Sequence, residues 1–122
     1  MTRTAQQPVR TGPPKRILVV AHDLRLRQTR VSLLERASYA VTTATSDDAA
    51  LKLLNRKSFD LVLIGRDALP PVQPLDQRIS EKHPNLLMLK IVPFTAEISP
   101  YATRTTIAHP GHMLLALQEM LA

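Results

Sequence analysis

Two short apolar runs end on residues that could do chemistry. Arg16-Ile17-Leu18-Val19-Val20-Ala21 runs into His22-Asp23, and Leu61-Val62-Leu63-Ile64 runs into Gly65-Arg66-Asp67. Imidazole nitrogen and carboxylate oxygen are metal donors, so His22, Asp23 and Asp67 brought together would make a weak cation site, and the sequence alone does not place His109 beside them. The plainer readings stand next to this one: His22 as a loop histidine at a strand end, and Gly65 as the residue that permits a tight backbone turn. Other chemistries find no residues. There is no cysteine, which removes thiolate metal sites, cysteine nucleophiles and disulfides. The glycines, at 12, 65 and 111, lie too far apart for a phosphate-cradling loop, and no serine sits in a nucleophile motif. No enzyme activity and no cofactor are expected.

Those residues need elements to position them. Four consecutive branched aliphatics at 61–64 form a strand covered on both faces, which makes it central and parallel, and the run at 16–21 is a second such strand. In a doubly wound sheet, chemistry collects beyond the carboxyl ends of the strands, which puts the functional question on Gly65, Arg66 and Asp67. Asp23 is placed to N-cap a helix over 24–37, with Leu26, Leu33, Leu34 and Ala37 at helical spacing. Residues 38–44 alternate as a half-buried strand, and Thr45-Ser46-Asp47-Asp48 starts a second helix running to about Lys57. Leu75 and Ile79 predict a short third helix ending before Pro84, and Leu86 to Leu89 a fourth buried strand. From Pro93 to Ala108 the prolines at 93 and 100 and the Thr/Ser content leave a helix short or absent, followed by an edge strand near 105–108. Gly111 to Leu121 closes the chain as an amphipathic helix. Strand and helix alternating in this way give an α/β fold, a five-stranded parallel sheet with helices on both faces.

The 122 residues suffice for one domain with a single core. Residues 1–14, rich in Thr, Gln, Arg and Pro, read as a disordered basic tail, and 15–122 as the folded domain. No apolar run is long enough to span a bilayer, and the first residues lack the apolar stretch of a signal peptide, so a cytoplasmic protein without membrane partners is expected. The net charge of +6 is carried by residues 1–36, with eight Lys/Arg against two Asp/Glu. At about 100° per residue, Arg25 and Arg36 fall near one edge of the first helix, Arg27 near the other and Arg30 towards the packed face. They make no stripe, and aromatic residues for base stacking are few, so nucleic acid is an unlikely partner. For Arg30 the expectations are a stem snorkelling along the core edge or a guanidinium held by a carboxylate.

The order of these elements resembles the receiver domain of two-component response regulators, a flavodoxin-like fold, over residues 15–122. Lys15-Arg16-Ile17-Leu18-Val19-Val20 is similar to the family's first strand. Leu34-Glu35-Arg36-Ala37-Ser38-Tyr39-Ala40-Val41 resembles its first helix turning into the second strand, Asp60 to Ile64 its third strand, and His109-Pro110 stands where the family has Lys-Pro. The resemblance implies an aspartyl phosphoacceptor after the third strand, a magnesium ion held by it and by an acidic pair, a Ser/Thr after the fourth strand and a lysine after the fifth. Here the acidic pair falls on Ala21 and His22, with Asp23 beside them, the acceptor position on Gly65, the Ser/Thr position near Lys90 and the lysine on His109.

The resemblance therefore implies a pseudo-receiver, a signalling domain of phosphorelay type that acts through protein–protein contact without phosphorylation. Two alternatives stand beside it: a basic nucleic-acid or transcription-linked adaptor, and an atypical phosphoacceptor using Asp67. Lys90 either supplies a cation near Gly65 or points to solvent. On the last helix Leu114, Leu117 and Leu121 are expected to face the sheet and leave Met113 and Met120 on its flank, as a homodimer or partner interface or as filling for the gap left by a shortened helix.

Overall fold

The computed structural model describes residues 13–65, 74–93 and 99–122. The elements are β1 (Arg16–Val20), α1 (Leu24–Arg36), β2 (Ala40–Ala44), α2 (Asp47–Arg56), β3 (Leu61–Ile64), α3 (Leu75–Lys82), β4 (Leu87–Ile91), β5 (Arg104–Thr106) and α4 (Pro110–Met120). The strands form one parallel sheet in the order β2-β1-β3-β4-β5. All four residues of β3 are buried, as an unbroken aliphatic run in a sheet covered on both faces requires.

Alternation along the strands sorts side chains into two cores. Ile17, Val19, Leu61, Leu63, Leu89 and Ile91 point to the side packed by α1 and α4, where Leu34, Met113, Ala116 and Leu117 meet them. Leu18, Val20, Val62, Ile64 and Met88 point the other way, onto α2 and α3 through Ala50, Leu54, Leu75 and Ile79.

The helix starts are chemically specified. Asp23 accepts from Leu26 N–H at 3.0 Å and Ser46 from Ala49 N–H at 3.1 Å, and Asp47 and Asp48 sit in the first turn of α2, where its dipole favours acids. The end of α1 is closed by Tyr39 N–H to Leu34 O at 3.1 Å and Ser38 N–H to Glu35 O at 3.0 Å, a Schellman pattern that forces Ser38 to φ 71°.

The expectation of a short or absent helix before β5 holds, and others shift. The described residues of the β4–β5 connection, 92–93 and 99–103, are not helical, and four helices are described in all. The edge strand covers 104–106 rather than 105–108, because Val92 N–H pairs with Thr106 O and ends the ladder there. Leu26, expected on the packed face of α1, is 49% exposed. The expected disordered tail lies, except for residues 13 and 14, outside the described residues.

Candidate functional site

The carboxyl ends of β1 and β3 meet at Ala21 and Gly65. Gly65 N–H donates to Val20 O at 3.0 Å, extending the ladder one residue past β3. Counting by twos from Leu61 and Leu63 puts position 65 on the α1 side of the sheet, and α1 sends Arg30 there. A Cβ on Gly65 would lie 2.9 Å from Arg30 Nη1, 3.2 Å from Val20 O and 3.9 Å from Ala21 Cα. Gly65 does not occupy the left-handed region, so the turn does not require glycine. The close approach of the β1 backbone and of Arg30 disfavours a side chain there, since one or both would have to move.

Arg30 thus neither snorkels to solvent nor pairs with a carboxylate within bonding distance among the described residues. It is 6% exposed, and its guanidinium makes no hydrogen bond or salt bridge to any of them. Burial lowers its pKa from the ordinary arginine value, and the charge of Asp23 partly opposes that shift. A buried guanidinium therefore lies against the space that a side chain at position 65 would enter.

The other predicted positions surround this point unequally. Ala21 is buried, and its carbonyl accepts from Arg27 Nη1 at 3.0 Å. His22 turns away to Asp47 of α2, with Nε2 3.4 Å from Oδ1, and Asp23 spends one oxygen on the α1 cap. His109 caps α4, its Nδ1 accepting from Gly111 N–H at 3.1 Å, and its ring meets His112 edge-on at 5.0 Å between centroids. Asp67 lies outside the described residues.

Magnesium wants several hard oxygen donors. Here the residues after β1 and the side chain beside position 65 are alanine, a histidine directed to Asp47, one carboxylate used as a cap and a buried guanidinium. No group of three His, Cys, Asp or Glu that could hold a metal occurs among the described residues. This donor set does not fit the ion.

Lys90 corrects an expectation. It pairs in register with Ile64, not Gly65, and so points to the α3 side of the sheet. There Nζ lies 3.3 Å from Oδ2 of Asp76, a carboxylate 2% exposed that also accepts from Ser99 Oγ and from Gln77 N–H. Ser99 Oγ in turn accepts from Tyr101 and Ala102 N–H at 3.2 and 3.1 Å. The cluster ties α3, β4 and the approach to β5 together. Sequence reading missed it because Asp76 lies 14 residues from Lys90 and 23 from Ser99, with no local signal to join them.

Met113 is corrected as well. It is 5% exposed within the α1–α4 core, and Met120 is half-buried against that core. The packed stripe of α4 runs through Met113, Ala116, Leu117 and Met120, so the exposed large apolar side chain on this helix is Leu115, at 52%. Tyr101, before β5, is 39% exposed.

The sheet order and helix placement are those of a response-regulator receiver domain of the CheY-like, flavodoxin type. The response regulator TrrA of Thermotoga maritima, solved in complex with Mg2+–BeF, superposes with a TM-score of 0.76 at 19% identity, covering 87% of this chain and 98% of that one. In a second structure TrrA is bound to the histidine kinase ThkA, with a TM-score of 0.74 and 20% identity over 88% of this chain and 99% of that one. A CheY-like receiver domain from Methanospirillum hungatei gives 0.75 at 21% identity, over 88% and 94%. No protein-family model and no curated protein matches the sequence. No helix among the described residues is long and apolar enough to cross a membrane.

Proposed function

We propose that this chain is a receiver-like signalling domain of the two-component type that works in the cytoplasm by binding a partner protein, without accepting a phosphoryl group. The single observation that carries the reading is Arg30. Its guanidinium lies 2.9 Å from where a side chain at position 65 would begin, so a buried positive charge borders the space that an acceptor carboxylate would need. Aspartyl phosphoryl transfer needs a carboxylate nucleophile, a magnesium ion and groups that neutralise the transferred charge, and the side chains at 21, 22 and 65 provide neither a carboxylate nor an oxygen donor for magnesium. TrrA, of the same fold, is bound by a histidine kinase, which supports a signalling protein as partner. The adaptor reading is weaker, because Arg30 is buried and Arg25, Arg27 and Arg36 do not share a face.

The test is intact mass after incubation with acetyl phosphate and magnesium. Unchanged mass is expected. A gain of one phosphoryl would overturn the proposal, and its loss in Asp67→Asn would assign the acceptor to that residue.

A further inference from the structure

A cavity of about 500 Å3 lies at the opposite end of the sheet from Gly65, where the chain leaves α2 for β3 and α3 for β4. It exceeds the other cavities described here, which hold about 120 to 140 Å3. Its size falls in the roughly 300–1,000 Å3 range of small-molecule sites. Two features of its wall define a ligand. Arg56 and Lys57 line it and no aspartate or glutamate does, so its side-chain charge is wholly positive. Phe59 and Leu86 give it an apolar surface, and the Phe59 ring already carries the Arg16 guanidinium, 5.5 Å from its centroid.

Two helices end at this cavity, and carbonyls at helix ends repel a bare anion but accept hydrogen bonds from hydroxyl or amino groups. The matching ligand carries an anionic group for the two cations, hydrogen-bond donors for the carbonyls, and a flat apolar part. We propose that the cavity binds a phosphorylated small molecule of the nucleoside-monophosphate class. The phosphate sits on Arg56 and Lys57, the base lies against Phe59 and Leu86, and a sugar hydroxyl faces the helix ends.

The experiment is an amide chemical-shift titration of the full chain with adenosine 5′-monophosphate, adenosine and inorganic phosphate. Adenosine 5′-monophosphate is expected to give saturable shifts confined to residues 54–59 and 83–86, with affinity about tenfold or more above either fragment. Arg56→Glu with Lys57→Glu, both at exposed positions, should leave the spectrum folded, weaken the monophosphate about tenfold or more and leave adenosine unchanged. Absence of saturable shifts, shifts centred elsewhere, an equal response to inorganic phosphate, or a double variant that binds as the wild type does would each overturn the proposal. None of these results bears on Arg30 or on phosphorylation, since the two sites lie at opposite ends of the sheet.

Discussion

Arg30 and Gly65 should be energetically coupled, and a double-mutant cycle measures it. In the native chain Gly65→Ala puts a methyl group 2.9 Å from Arg30 Nη1 and 3.2 Å from Val20 O. Overpacking of this kind costs about 1–3 kcal/mol. Against it stands a gain of about 0.4–1 kcal/mol from the stiffer unfolded chain, available because Gly65 does not need a left-handed backbone. The net expectation centres on a loss of about 1 kcal/mol, within a span from about 0 to 2.6 kcal/mol. In Arg30→Ala the guanidinium is gone and only the Val20 carbonyl contact remains, so adding Gly65→Ala should be neutral to within about 0.5 kcal/mol. The coupling is then about 1 kcal/mol or more, outside the scatter of about 0.3–0.5 kcal/mol for independent sites. Urea denaturation followed by far-ultraviolet circular dichroism on the four proteins reads it directly, and a cycle that closes additively would refute the placement of Arg30 over Gly65.

Further expectations concern packing. Lys90→Met leaves the buried Asp76 without its cation and should destabilise the fold by about 3–5 kcal/mol in urea denaturation; a change under about 1 kcal/mol would show that Ser99 and Gln77 suffice. Met113→Glu buries a charge in the α1–α4 core and should unfold the protein, whereas Leu115→Glu on the exposed face should stay within about 0.5 kcal/mol of wild type; sedimentation and circular dichroism separate the two. Ser38→Gly should stabilise by about 1 kcal/mol by relieving φ 71° at the end of α1, and a lower melting temperature would contradict that account.

Most of the fold was legible from local chemistry. The unbroken aliphatic runs at 17–20 and 61–64 specify buried parallel strands, because only a sheet covered on both faces hides side chains pointing both ways. Asp23 and Ser46 announce helix starts by offering oxygens to backbone N–H groups within three residues, and such contacts survive in any tertiary setting. That a glycine follows β3 was equally plain, since it needs only the identity of the next residue.

What the chain alone did not determine is where long side chains end. Arg30 lies 35 positions before Gly65 in the sequence. Helical periodicity turned it towards the sheet, but only the packing of α1 over the β1–β3 junction brought its guanidinium to the glycine. Lys90 went the other way for a comparable reason: one step of strand register decides the face, and the register of β4 is set by pairing with β3 rather than by any residue near Lys90. Met113 turned into the core because the rotation of α4 about its axis is fixed by the neighbours it packs on, and its apolar residues are numerous enough to fit more than one rotation. Local hydrogen bonding and period fix which elements form; the faces they present to one another are decided by contacts between residues tens of positions apart, which only the folded chain brings together.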